Sequence, residues 1–435
     1  MDPSRAPLVR ADVLIEGRRI AQIGQNLAAA APGSLVIDAS DAIIMPGFVD
    51  PHIHSWQGQL AGLVPNSNGV ADDRTHNYFS VMHQTFGPHY RPQDMYIGNL
   101  LTALSCLDAG VTTFCDNSHN SRSAAHADEA IRGLKESGAR AVYAAGGIRF
   151  PDQQWDRQWP QDLHRIRREQ FASDDQLVTL RMYSGIDDAS LKIARELDLW
   201  VTFDGGAGSP RLPELYAQKV LVGRESFNHG GGVPDANWQV IRDNGAKVNV
   251  CPRSDIQFGF GGAGRGMHAV QDALDHGIRP GISNDNPAAY AIDMFAEMQV
   301  LYFTQRAMGQ LARFNKVTPV PAGVTARDVL EFGTIRGAEC CAVDQLCGTL
   351  TPGKDADLVM LRAPAMRLQA ANNAYGAVVQ GGSVRDVDTV FVAGRLKKWR
   401  GALVGHDLAR VRRLAEESRQ YLLKASGWQF DVGSD

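Results

Sequence analysis

Pro46-Gly47-Phe48-Val49-Asp50-Pro51-His52-Ile53-His54 decides how this chain is read. Four apolar residues, 42–45, lead into a Pro-Gly break, and a short strand opening at Phe48-Val49 ends in two histidines one residue apart. In an extended strand the side chains of residues i and i+2 leave the same face. His52 and His54 can therefore aim two imidazoles at one ion from the carboxyl end of a buried strand. A His-x-His pair alone is a common surface accident; the apolar approach and the strand-end position favour a ligand pair.

Working outward, residues 46–340 alternate short apolar strands with longer helical patterns. Further strands are expected at 111–114, 139–144, 177–182, 200–203, 225–229, 247–250 and 280–283, with amphipathic helices such as 94–109, 126–137 and 191–197 between them. With the strand at Phe48 these βα repeats predict a (β/α)8 barrel. A doubly wound open sheet is the alternative, but no G-x-G-x-x-G opens a helix after the first strand. The flanks read differently. Segments 11–17, 19–24 and 35–38 form a small antiparallel β unit that needs a partner sheet. Residues 347–361 and 387–395 supply apolar strands for it, and 408–423 has the leucine spacing of a terminal helix. The expected organisation is α/β: residues 1–45 and 341–405 as two parts of one β-sandwich, 46–340 as a distorted TIM barrel, and 406–435 as a C-terminal helix and tail.

Composition narrows the function. The 435 residues are 44% apolar and 21% charged, with a net charge of −4 and no basic block. That argues against nucleic acid or an anionic membrane as partner and for a small molecule. No apolar signal segment and no membrane-spanning run is visible, so the cytoplasm is the expected compartment. Six scattered cysteines lack CxxC spacing and read as buried small residues.

In a barrel, chemistry belongs to the carboxyl ends of the strands. Those ends carry His52 and His54 (strand 1), Asp116 and His119 (after strand 2), Asp204 (strand 5), His229 (strand 6) and Asp285 (strand 8). Imidazoles and carboxylates meeting at one mouth suit one divalent metal ion whose water is activated near neutrality. Asp285 would serve as ligand and base, and His229 would orient water or polarise substrate. Each has a plain alternative: Asp285 as a turn aspartate in Ser283-Asn284-Asp285-Asn286-Pro287, His229 as a turn residue before three glycines, His119 as loop composition. Trp56, Gln57 and Gln59 directly after His54, together with His119 and Arg253, are expected to line the mouth: Trp and Gln for a flat hydrogen-bonding heterocycle, Arg253 for a carboxylate or oxo group. Trp56 could equally be a core residue. The long connection holding His76, His83, His89, Tyr78, Phe79 and Tyr90 reads as a lid or substrate wall. The glycine-rich stretch 258–266 reads as an active-site loop rather than a phosphate cradle.

PGFVDPHIH (46–54) resembles the first-strand signature of the amidohydrolase superfamily. The chain also carries LDAGVTTFCD (107–116), CPRS (251–254), DMFAEM (293–298) and GTLTPGKDADLV (348–359), in that order. This set is similar to the branch of cytosine deaminase, atrazine chlorohydrolase and S-adenosylhomocysteine deaminase. The resemblance implies a distorted TIM barrel with a β-sandwich, His52, His54 and Asp285 as metal ligands, and His229 as a metal-adjacent catalytic residue. It also implies homo-oligomers by analogy. Strand 5 departs from the pattern: Asp204 stands where that branch has a metal-binding histidine, and Ala207 where it has a proton-shuttling glutamate. A site of His52, His54, Asp204 and Asp285 holding zinc, or secondarily iron, then hydrolyses a C–N or C–Cl bond of a small cyclic compound. The same departure leaves open a metal-free member doing acid–base ring opening, elimination or isomerisation, and a non-catalytic binding scaffold.

Overall fold

The computed structural model describes residues 10–69, 77–147, 159–260, 267–321, 323–362 and 372–429. Strands β1 (Asp12–Glu16) and β2 (Arg19–Gly24) pair antiparallel. β3 (Ile43–Pro46) passes straight into the first barrel strand, β4 (Phe48–Ile53). The barrel continues through β5 (Val111–Ser118), β6 (Arg140–Gly146), β7 (Val178–Ser184), β8 (Val201–Asp204), β9 (Glu225–Asn228), β10 (Lys247–Val250) and β11 (Gly281–Ile282). These eight run in sequential parallel order. A bridge between Ile53 and Asp285 joins the two edges, the Asp285 amide donating to the His52 carbonyl at 2.8 Å and the His54 amide to the Asp285 carbonyl at 3.0 Å. The parallel strands are covered on both faces, and every residue of β4, β5 and β6 is buried.

Helices cover the outside with ends fixed by local chemistry. Ala124–Ser137 opens at Ser123, whose hydroxyl accepts from the His126 amide, and closes at Gly138 with φ 65°. Met294–Phe314 opens at Asp293, which accepts from the Ala296 amide. Among the described residues no helix is long and apolar enough to cross a membrane.

The second layer is antiparallel. β3 pairs with β12 (Leu358–Leu361), which is followed across the sheet by β13 (Val387–Val392), β14 (Arg395–Trp399) and β15 (Ala402–Leu403). Ile20, Ala356 and Leu358, with Val13, Ile23, Ile44 and Phe391 against them, form a small core between this sheet and the β1–β2 pair. The expected strand at 35–38 does not form: Leu35 and Val36 are 89% and 68% exposed, and Ile43–Pro46 takes the edge instead because it finds a hydrogen-bonding partner in β12. The C-terminal helix spans Leu408–Ser426.

The amino-terminal end of the barrel carries a buried ion cluster. Arg140, at the start of β6, donates to Asp357 Oδ2 at 2.7 Å and Asp355 Oδ2 at 2.6 Å, and all three side chains are buried. Asp357 Oδ1 also accepts from the Ala393 amide. The two aspartates of Gly353-Lys354-Asp355-Ala356-Asp357 thus tie the antiparallel layer to the barrel.

One glycine contact ties the C-terminal part of the barrel to the metal-facing strand. A Cβ on Gly337 would lie 2.5 Å from the Val49 carbonyl oxygen, three residues before His52. Backbone on both sides leaves little room to adjust, so Gly337→Ala is expected to cost about 1–3 kcal/mol by overpacking. Thermal unfolding reads this directly; an unchanged melting temperature would mean that β4 moves aside freely.

Candidate metal centre and cavity

At the carboxyl end of β4 both histidines are buried. His54 Nδ1 lies 3.0 Å from the Asn117 carbonyl, which only an Nδ1–H can use, so its Nε2 faces the mouth with a lone pair. His52 Nδ1 is held by the side chains of Asn117 and Asn228. Its Nε2 is buried and sits 3.0 Å from Asp285 Oδ1.

Asp285 brings its carboxylate between the two rings, with Oδ1 3.0 Å from His52 Nε2 and 3.2 Å from His54 Nε2, while Ser254 donates to Oδ2. Burial opposes its charge, but the two imidazoles outweigh this and hold its pKa below the usual carboxylate range. Its backbone is left-handed, φ 64°, as is that of His229, φ 72°. Non-glycine residues in this region are strained, and such strain gathers at functional sites.

His229 stands between two carboxylates: Nε2 is 3.0 Å from Asp204 Oδ1 and Nδ1 is 2.7 Å from Asp255 Oδ1. Burial works against its charged form, but Cys251, Asp204 and Asp255 together raise its pKa well above the ordinary value. Asp204 also accepts from the Tyr183 hydroxyl at 3.1 Å, and lies 3.9 Å from His52 Nε2. Two overlapping donor sets result, each with its atoms within 4.8 Å of one another: His52, His54, Asp204, and His52, His229, Cys251, Asp285. The mixture of imidazole nitrogen, carboxylate oxygen and thiol sulfur suits a borderline ion such as zinc. His52 is common to both sets, with Asp285 Oδ1 3.0 Å and Asp204 Oδ1 3.9 Å from its Nε2, and this gathering of donors is the observation that fits such an ion best.

Beside these groups lies a cavity of about 330 Å³. Its polar wall is His54, Asp204, His229 and Asp285; its apolar wall is Tyr78, Phe79, Ala207, Val233 and Phe260; and Gly230–Gly232 forms a bare backbone edge. Tyr78 and Phe79 come from the long connection expected to form a wall, and their rings meet Phe258 and Phe260 across it. His76, and residues 261–266 of the glycine-rich stretch, lie outside the described residues.

The five residues expected to line the mouth are a correction. Ser55–Leu60 coils into a buried 3-10 helix that turns its side chains away from the cavity. Trp56 is fully buried and donates to His119 Nδ1 at 3.2 Å; His119 packs its ring 3.9 Å from that of His54. Gln57 donates to the Tyr78 hydroxyl at 2.6 Å, and Gln59 to the Asp94 carbonyl and the Ser418 hydroxyl. Arg253 is locked by Glu297 at 2.6 Å and Asn284 at 2.6 Å, with its guanidinium 4.1 Å over Tyr290. Trp56, Gln57 and His119 therefore back the site one layer behind it, Arg253 braces the turn carrying Asp285, and Gln59 ties helices together. Burial pushes Asp50 up to about 8 despite its bonds from Asn284 and His52, and Glu297 up to about 7 despite Arg253.

A parallel barrel with imidazoles and carboxylates gathered at its carboxyl end is the architecture of the amidohydrolase class, and the amidohydrolase family model matches residues 216–397. The chain is similar over most of its length to the 5-methylthioadenosine/S-adenosylhomocysteine deaminase of Pyrococcus horikoshii, 23% identical with 92% of this chain and 93% of that protein covered. It is equally similar to the 5'-deoxyadenosine deaminase of Methanobrevibacter smithii, 23% identical over 96% of this chain and 95% of that one. In fold it is similar to the zinc-bound adenosine deaminase of Xanthomonas campestris, with a TM-score of 0.77, 20% identity, and 96% and 94% of the chains covered. It is also similar to the zinc complex of atrazine chlorohydrolase TrzN from Arthrobacter aurescens TC1, with a TM-score of 0.81, 18% identity, and 96% and 97% covered. The amidohydrolase resemblance read from 46–54 is thus found again by sequence and by fold.

Proposed function

We propose that this protein is a hydrolase of carbon–nitrogen bonds that uses one divalent ion, zinc in the first instance, to deaminate a small planar heterocycle. The convergence of His52, His54 and Asp285, with Asp285 Oδ1 3.0 Å from His52 Nε2 and 3.2 Å from His54 Nε2, carries this reading. A metal ion held there lowers the pKa of its water toward neutrality. The chain's own part follows from position and charge. Asp285, kept ionised between two imidazoles, accepts a proton at its oxygen. Asp204 and His229, 3.0 Å apart, form the pair able to hand one to a leaving nitrogen in place of the glutamate that Ala207 does not supply. Tyr78, Phe79 and Phe260 offer flat surfaces to a ring, and the 330 Å³ volume suits a compact molecule. Among the described residues no Lys or Arg lines the cavity. Because relatives are named as deaminases of adenosine derivatives, 6-aminopurine nucleosides are the first substrates to test and amino- or chloro-substituted triazines the second.

A second reading, metal-free acid–base chemistry, is favoured by one observation: Asp204, His229 and Asp255 form a continuous carboxylate–imidazole–carboxylate chain. One experiment separates the two. Protein purified without chelators is assayed for metal content and for ammonia release across the panel, then stripped and reloaded. The hydrolase reading expects about one ion per chain, at least tenfold loss of rate on stripping and recovery on adding zinc. Full turnover by the stripped protein overturns it in favour of the acid–base reading.

A further inference from the structure

We propose that Glu297 and Arg253, an ion pair outside the cavity wall, are positioning residues that together set where Asp285 stands. The proposal rests on the metal-hydrolase reading above. It goes beyond that reading by giving a task to the stretches 251–254 and 293–298, which meet in this pair.

Asp285 needs holding for two reasons. Its backbone is left-handed, φ 64°, a conformation that a residue with a Cβ keeps only where its surroundings over-determine it. It also stands at the seam where the barrel closes. β11 is two residues long, and a single bridge between Ile53 and Asp285 joins its end to β4. By contrast, β5 and β6 share a ladder that runs from Thr113 to Ser118. So short a backbone pairing leaves the position of the Asp285 carboxylate to side chains.

Two arms run from the pair to Asp285. Glu297 is fully buried; its Oε1 accepts from Arg253 Nε at 2.6 Å and its Oε2 from the Arg253 backbone amide at 3.0 Å. One carboxylate therefore fixes both the side chain and the main chain of residue 253. Along the side chain, Arg253 Nη2 donates to Asn284 Oδ1 at 2.6 Å. Asn284 is fully buried next to Asp285 and donates through Nδ2 to Asp50 Oδ2 at 2.6 Å. Asp50 Oδ1 in turn accepts from the His52 amide at 3.2 Å. This arm crosses the seam and grips β4 at the residue that carries the first imidazole. Along the main chain, the next residue, Ser254, is buried and donates its hydroxyl to Asp285 Oδ2. The first arm fixes the backbone before Asp285 and the second aims its carboxylate, presenting Oδ1 to His52 and His54 at 3.0 and 3.2 Å.

The test separates positioning from plain stability. Breaking a buried pair at one partner destabilises a fold, whereas replacing both partners by apolar residues of similar volume is often neutral. The metal-stripped full chain and its Arg253→Met/Glu297→Met double variant are compared by melting temperature and by zinc titration against a chelating dye. The double variant is expected to melt within about 5 °C of the parent. It should nonetheless bind zinc at least about tenfold more weakly, as when groups behind a metal ligand are removed. Arg140→Met, destabilised at the opposite end of the barrel, is the control and should keep the parent's zinc affinity. Arg253→Lys keeps a charge for Glu297 but has no fork to reach Asn284 as well, so it too should weaken zinc about tenfold. It decides the matter if the double variant does not fold. Zinc affinity within about twofold of the parent in the double variant or in Arg253→Lys, or an equal loss in Arg140→Met, overturns the proposal and leaves the hydrolase reading in place. A parent chain that binds no zinc overturns both.

Discussion

His52→Ala is expected to drop bound metal from about one ion per chain to less than a tenth, and to lower kcat/KM for the hydrolysed substrate at least about 10³-fold, or about 4 kcal/mol of transition-state stabilisation. His52 is the residue common to both donor sets, so the outcome does not depend on whether Asp204 or Cys251 completes the sphere. It is also the least replaceable. Its ring is fully buried, its Nδ1 is held from the side by Asn228 at 2.8 Å, and its Nε2 meets Asp285 at 3.0 Å. Removing it leaves Asp285 facing His54 alone. The fold should survive. The lost hydrogen bonds to two asparagines cost about 1–3 kcal/mol, a fraction of what a core of this size supplies. Metal analysis by mass spectrometry and a melting curve check the two statements separately. A variant that keeps stoichiometric metal would show that the ion is held elsewhere and would sink the site as described.

Arg140→Met is expected to destabilise the protein by about 3–5 kcal/mol, although it lies at the end of the barrel opposite the metal site. The argument is electrostatic. Asp355 and Asp357 are 3% and 2% exposed, and Arg140 answers both at 2.6 and 2.7 Å; Arg18 reaches Asp355 from the other side at 2.8 Å but does not reach Asp357. With Met in place of Arg140, the Asp357 carboxylate stays buried with amide and hydroxyl donors alone. Losing one partner of a buried pair costs far more than the pair contributes over an apolar substitute. The control is Arg132→Met, whose ion pair with Glu129 joins side chains 49% and 29% exposed, and for which less than about 1 kcal/mol is expected. Urea unfolding of both variants decides it; equal midpoints would mean that the GKDAD cluster does not hold the two layers together.

Much of the fold was legible because it is written in short-range patterns. Each of the expected barrel strands is present within a few residues, since a strand buried on both faces must be a compact apolar run and the helices between must carry a 3.6-residue repeat. The segment at 35–38 misled for the opposite reason: its apolar alternation matches a strand, but pairing depends on a partner, and β12 pairs with 43–46.

The site divides along the same line. His52, His54, Asp204, His229 and Asp285 were legible because a barrel delivers the ends of its strands to one place, so position in the repeat is enough to predict convergence. Trp56, Gln57, Gln59 and Arg253 misled because proximity in sequence to His54 or strand 7 was taken for proximity in space. A tight helical turn sends the first three backward, and Glu297, 44 residues on, claims the fourth. Asp255 as the partner of His229, Cys251 as a donor beside it, and Phe258 and Phe260 against Tyr78 and Phe79 carry no signal in their own neighbourhoods. By itself the sequence determined the barrel and the strand ends that carry His52, His54, Asp204, His229 and Asp285. Only the tertiary structure decided which side chains face the cavity and which partners each of these groups meets. Those depend on hydrogen bonds between residues dozens to hundreds of positions apart, and no local pattern encodes them.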